Sequence, residues 1–299
     1  MNGNYLKGVF VPLVTAFDHA GELDKSAMKK LTAFTVEKGV HGVIPAGSTG
    51  EFFALSAEER ILLLETVLEE AGGKVPVYAG TGAITTRETI KLTRQAENAG
   101  AQGVLVITPY YISPSQEDLY EHYRKIAENT SLPIIIYSNP GRTGGLFPTP
   151  DTIERLAAIE NIVALKDSSG NMSLTAEYIR RTKGMPFSIL MGQDKLFFAG
   201  LMHGCTGLVA ATANVSPALV VELYRACMER EVDRGLELQS KVTLIRNGFE
   251  SLPFPVAAKA MMNLAGLEVG LPRAPLGLGR KISSAEEEEL RIILSRIDI

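Results

Sequence analysis

Ile162-Val163-Ala164-Leu165-Lys166 is a run of four apolar residues closed by an amine and followed at once by the polar turn Asp167-Ser168-Ser169-Gly170. It is short and continuous, without polar alternation, which is the pattern of a parallel strand buried on both faces. Comparable runs flank it: Val9–Thr15, Gly42–Ala46, Val75–Ala79, Gly103–Thr108 and Pro133–Tyr137 before it, Phe187–Met191 and Gly207–Ala211 after it. The spacing of about 30 residues is that of a (β/α)8 barrel.

Helical stretches lie between the runs and carry start signals. Ser56-Ala57-Glu58-Glu59 and Thr85-Thr86-Arg87-Glu88 fit the capping box. Thr149-Pro150 and Ser216-Pro217 place a cap residue before a proline at the first helical position. Gly39, Gly100 and Gly204 fall where helix ends want a left-handed residue. The rival doubly wound sheet would need a glycine-rich turn after its first strand, and Val14-Thr15-Ala16-Phe17 has none. The expectation is therefore an α/β protein: a (β/α)8 TIM barrel over residues 1–231, with a helical subdomain over 232–299. In that tail, Asp233–Arg246, Pro255–Leu264 and Ser284–Arg296 read as helices separated by prolines.

Composition narrows the function. The 299 residues are 45% hydrophobic and 21% charged, with a net charge of −4, so a nucleic-acid backbone is not the expected partner. Two cysteines, Cys205 and Cys227, give no disulfide framework, and four histidines form no helical metal pair. The opening residues Met1-Asn2-Gly3-Asn4-Tyr5 have no leader character. No apolar run approaches the ~20 residues of a membrane span, so a cytoplasmic location is expected.

Barrel enzymes build their sites at the C-terminal ends of the strands. A lysine there, set in an apolar strand, has its charged form disfavoured by burial, and a free amine can form a Schiff base with a carbonyl. After the second run comes Gly47-Ser48-Thr49-Gly50-Glu51, whose hydroxyls can hold a carboxylate, although glycine and serine are also ordinary turn residues. Tyr137 ends the fifth run as a phenol able to pass protons, or as a packed ring with its hydroxyl at the rim. Arg142 offers a fork to a second carboxylate, or a loop salt bridge. Tyr110 and Tyr111 suit a site or a subunit interface. No phosphate loop, metal cluster or nicotinamide fingerprint accompanies them, so the amine is expected to act without a cofactor.

Gly47 through Glu51, Tyr137 through Gly144 and Lys166, in this order and spacing, resemble the dihydrodipicolinate synthase/N-acetylneuraminate lyase family from about Gly8 to the helical tail. The resemblance implies no metal or organic cofactor, a homotetramer built as a dimer of dimers, and an imine between Lys166 and pyruvate or another 2-oxo acid. By position it implies Tyr137 as the proton-transferring phenol and Ser48 and Thr49 as carboxylate-holding, proton-relaying hydroxyls beside Gly47. Tyr111 matches a tyrosine lent to the adjacent subunit, and Gly192 and Val209 match contacts to the keto acid. Arg142 resembles the synthase branch, where it binds the carboxylate of aspartate semialdehyde; the sialic-acid lyase branch lacks it. Two departures stand out: Ser48 where synthases usually carry threonine, and Ser138-Asn139 in place of Asn-Val. Ile84 replaces an asparagine of the family's regulatory lysine site, while Glu88 and Tyr110 match it. The alternatives are a 2-keto-3-deoxy sugar acid aldolase, a 2-oxo acid dehydratase or deaminase, and, from another class, a barrel that binds a small acid without turnover.

Overall fold

The computed structural model describes residues 6–277 and 282–297; the opening stretch Met1–Tyr5, read above for its lack of leader character, lies outside them. Eight parallel strands form one sheet in the order β2-β1-β8-β7-β6-β5-β4-β3. They are β1 (Gly8–Pro12), β2 (Gly42–Ile44), β3 (Tyr78–Gly80), β4 (Gly103–Ile107), β5 (Ile134–Ser138), β6 (Ile162–Asp167), β7 (Ser188–Met191) and β8 (Gly207–Val209). A parallel bridge between Val43 and Val77 joins the two ends of that order, so the barrel closes.

The helices alternate with the strands: α1 (Lys25–Glu37), α2 (Ala57–Ala71), α3 (Thr86–Asn98), α4 (Gln116–Ala127), α5 (Pro150–Ala157), α6 (Met172–Arg181), α7 (Phe197–His203) and α8 (Pro217–Met228). Three more follow, α9 (Val232–Glu250), α10 (Val256–Leu264) and α11 (Ser284–Ser295). Among the described residues no helix is long and apolar enough to cross a membrane.

The strand runs are buried almost throughout, but most strands are shorter than their apolar runs; β6 instead runs one residue further, to Asp167, and β5 is shifted by one, to Ser138. Proline sets one limit, since it has no N–H to donate: β5 begins at Ile134 rather than Pro133, and β3 starts beyond Pro76, which only accepts, from the Val43 N–H at 3.1 Å. Local bonding sets the other. The Leu13 N–H makes the last bond to β2, at the Ile44 carbonyl (3.1 Å); Val14 and Thr15 stay buried beyond the ladder, and the Val14 N–H donates to the Asn214 side chain at 3.0 Å.

The caps form with two exceptions. The Ser56 box is complete, and Thr149 caps the helix opened by Pro150. Thr85 accepts from the Glu88 N–H, but Glu88 does not return the bond, so only half of the expected box exists. Ser216 makes no side-chain cap bond; Pro217 alone marks that start. In the tail, α9 begins one residue earlier and runs four further than its apolar pattern suggested. Gly39, Gly100 and Gly204 all have the left-handed backbone expected of them.

Candidate active site

Register brings the two proposed reacting groups together. Tyr137 on β5 pairs directly with Lys166 on β6, so both side chains leave the sheet on the same face. The Lys166 Nζ lies 3.8 Å from the centre of the Tyr137 ring, and the lysine is 6% exposed. It sits in a cavity of about 310 Å³ at the strand ends, also lined by Ser48, Thr49, Arg142, Gly192 and Val209. The amine is thus neither in bulk solvent nor tied to a carboxylate: Asp194, which lines the same cavity, pairs with Arg246 at 3.3 Å.

Gly192 leaves room for two side chains, Ser168 and Lys166. A Cβ there would fall 2.3 Å from the Ser168 Oγ and 2.9 Å from the Lys166 Cε, so a side chain would displace the stem of the amine. The Ser168 hydroxyl instead donates to the Gly192 carbonyl at 3.0 Å, fixing the turn after β7 against the turn after β6. Gly47 has no such constraint, since a Cβ would meet only Pro12, at 3.9 Å, and it is not part of the cavity lining.

The Tyr137 hydroxyl accepts a hydrogen bond from the Asn139 Nδ2 at 2.8 Å. Burial pushes this phenol up, but the Lys166 charge and hydrogen bonds from Asn139, Ser48 and Lys166 outweigh it and hold the group below its ordinary value of 10.0. The phenol is therefore tuned towards releasing its proton, the property a proton-transfer group needs.

Arg142 is exposed at the rim, and its guanidinium lies 5.7 Å from the Phe254 ring. Arg246, from α9, lies 5.7 Å from the same ring and is steadied by Asp194 and by Glu250, to which its Nε donates at 2.9 Å. Asp194 is in turn held by the Thr212 N–H at 2.9 Å and hydroxyl at 2.8 Å. The mouth thus presents two cations around one aromatic ring, an arrangement suited to an anionic or polyhydroxylated second substrate.

Tyr111 is not part of this cavity. It is 94% exposed, with a left-handed backbone (φ 71°). Asn139, Arg246 and Phe254 were missed by reading strand ends. Arg246 and Phe254 come from the tail, which strand-end reasoning does not reach, and Asn139 stands out in the sequence as a departure from the family pattern, with no role attached. Among the described residues no group of three or more His, Cys, Asp and Glu side chains could hold a metal ion.

A second cavity, of about 360 Å³, gathers Ile84, Glu88 and Tyr110 with Arg60 and Leu55. Arg60 donates to the carbonyls of Phe52 at 2.9 Å and Gly82 at 3.2 Å, which fixes a cation in its wall.

Comparison with known proteins shows what the chain is similar to. The model of the dihydrodipicolinate synthetase family matches residues 5–297. A 4-hydroxy-tetrahydrodipicolinate synthase of Methanothrix thermoacetophila is 38% identical over 294 residues, covering 97% of each chain. One from Methanospirillum hungatei is 39% identical, covering 98% of this chain and 99% of that one. The crystal structure of the chloride-inhibited dihydrodipicolinate synthase from Acinetobacter baumannii, complexed with pyruvate, superposes with a TM-score of 0.93 at 33% identity, covering 98% of this chain and 99% of that one.

Proposed function

The chain belongs to the dihydrodipicolinate synthetase family, and on that premise we propose that it is a 4-hydroxy-tetrahydrodipicolinate synthase, joining pyruvate to aspartate semialdehyde through an imine on Lys166. The observation that carries this reading is the buried Lys166 amine against the Tyr137 ring, in a cavity whose lining also carries Arg142. Lys166 attacks the ketone carbon of pyruvate and water leaves, giving the imine. Loss of a methyl proton gives the enamine, whose carbon attacks the aldehyde. Tyr137 and Ser48 carry the protons, Thr49 and Ser48 hold the 2-oxo acid carboxylate, and Gly192 and Val209 shape its pocket. Arg142 takes the carboxylate of the second substrate.

A second reading is favoured by Asn139 and Arg246. They add hydrogen-bonding capacity to the mouth, which also suits the hydroxyls of a 2-keto-3-deoxy sugar acid cleaved to pyruvate and an aldehyde. A coupled assay comparing aspartate semialdehyde and pyruvate with a panel of such acids tests the choice; turnover of the acids alone would favour the aldolase. In that assay Arg142→Ala is expected to raise the KM for aspartate semialdehyde by roughly 10- to 150-fold. That is the loss of a charge-assisted contact of about 1.5–3 kcal/mol. The pyruvate KM should barely move, and equal damage to both substrates would displace Arg142 from this role.

The same reading takes the protein as a homotetramer, a dimer of dimers, with Tyr111 reaching into a neighbour's site. Its supports are the exposed, left-handed Tyr111, the exposed Phe53 and Ile112 beside it in sequence or through the Phe52 ring, and the contact of Phe52 with both Phe53 and Tyr110. Feedback by lysine is expected to be weak or absent. Ile84 cannot replace an amide's hydrogen bonds, and the Arg60 cation opposes an ammonium in the same cavity. Calorimetry should find no saturable lysine binding tighter than about 1 mM; micromolar binding would refute this.

A further inference from the structure

The hydroxyl turn is bracketed by backbone strain. Ala46 and Glu51, on either side of Gly47 to Gly50, both adopt left-handed conformations (φ 55° and 54°) without being glycine. Such conformations persist only where the surroundings over-determine them. Part of that support is close packing. A Cβ on Gly80 would fall 2.0 Å from the Ala46 carbonyl oxygen, one on Gly50 would fall 2.8 Å from the Leu13 carbonyl, and the Thr15 hydroxyl donates to the Gly50 carbonyl at 2.6 Å.

The rest comes from the far end of the chain. Glu51 and Lys259 are both 0% exposed, and the Lys259 Nζ lies 2.7 Å from the Glu51 Oε1. The other carboxylate oxygen, Oε2, accepts the Arg273 backbone N–H at 3.0 Å. Lys259 also donates to the Leu271 carbonyl at 3.0 Å and lies 4.3 Å from the centre of the Phe17 ring. The Arg273 guanidinium, 4.4 Å from the same ring, donates to the carbonyls of Gly21 and Ala54 and pairs with Glu59. Burial pushes the Lys259 ammonium down to about 8, and Glu51 only partly offsets it. A buried pair of this kind is a poor source of stability, because desolvation offsets its attraction. What it does supply is a fixed position.

We propose that Glu51 and Lys259 are positioning residues for the reaction: their buried ion pair, backed by the Arg273 main chain, holds the turn so that the Ser48 and Thr49 hydroxyls meet the 2-oxo acid carboxylate. On this account Lys259 and Arg273, from the segment read as an appended subdomain, support the pyruvate pocket from behind. The proposal rests on the reading of Ser48 and Thr49 as the carboxylate-holding hydroxyls, and the test separates the two.

The full-length protein carrying Glu51→Gln with Lys259→Met removes both charges while keeping an acceptor for the Arg273 N–H. It should fold, with a thermal midpoint near that of the parent. Its pyruvate KM should rise about tenfold, with the aldehyde KM held within about twofold. That rise should vanish when the pair is removed from a Ser48→Ala/Thr49→Val protein, because the hydroxyls through which it acts are gone. A folded double variant with the parent pyruvate KM overturns the proposal, as does a rise of undiminished size in the hydroxyl-free background. Should the double variant not fold, Glu51→Asp keeps the charge and shortens its reach; the same pyruvate-selective rise is expected, and an unchanged KM overturns the idea. If Ser48→Ala/Thr49→Val alone leaves the pyruvate KM untouched, the hydroxyl reading fails first and the positioning role falls with it.

Discussion

Lys166→Ala is expected to eliminate the borohydride-trapped pyruvate adduct and to lower kcat by roughly 10⁴-fold or more. The size of the effect follows from the proposed mechanism, in which one amine supplies the covalent step and the groups around it bind and move protons. The variant should still fold. Lys166 stands at the open end of the barrel, and the contact it loses with the Tyr137 ring is of a kind worth only about 0.5–2 kcal/mol. Lys166→Arg sharpens the experiment, because a guanidinium keeps the positive charge near Tyr137 but remains protonated and forms no imine. Intact-mass analysis after reduction with pyruvate should find no adduct in either variant. An adduct at full stoichiometry in Lys166→Ala would mean that another amine is the nucleophile. The parent protein failing to trap pyruvate would favour the non-catalytic binding barrel.

The lysine and its strand were legible because burial and chemistry conflict at that position: an apolar run ending in an amine has few structural uses. Tyr137 was legible for the same reason, one strand earlier, and the ladder pairs the two residues directly. What stayed hidden depends on contacts between segments far apart in sequence. Gly192 reads as a turn glycine until the Lys166 stem is seen filling the space its Cβ would need. Arg246 is one of several charges on the long helix α9, and nothing in the period of that helix says that it meets Phe254 and Asp194 at the mouth. Glu51 looked like the end of a motif, whereas its carboxylate is shared between α10 and the stretch after it. Strand limits erred where proline or a side-chain bond interrupted the ladder, as at Pro133 and Val14. Hydrophobicity reports burial, and burial continues past the last ladder hydrogen bond.

Tyr137→Phe is expected to lower kcat by about 10²- to 10⁴-fold, the usual worth of a positioned proton-transfer group, with the pyruvate KM changed by no more than about twofold. The ring keeps its packing against Lys166, so pyruvate should still bind; what is lost is the oxygen that accepts from Asn139. The pH dependence gives an independent check, and its sign is fixed by the surroundings. Burial raises the phenol, but the Lys166 charge and the hydrogen bonds from Asn139, Ser48 and Lys166 favour the phenolate more, leaving the net value below 10.0. A lowered phenol gives up its proton at lower pH than a free tyrosine. The Tyr137 inflection in kcat/KM should therefore lie below pH 10 in the parent and be missing from Tyr137→Phe. Asn139→Ala removes one of the bonds that favour the phenolate, so it should move the inflection upward while leaving imine trapping intact. A Tyr137→Phe protein that turns over at more than a tenth of the parental rate would assign the proton transfer elsewhere, with Ser48, the hydroxyl on the facing turn of the same cavity, the next group to replace.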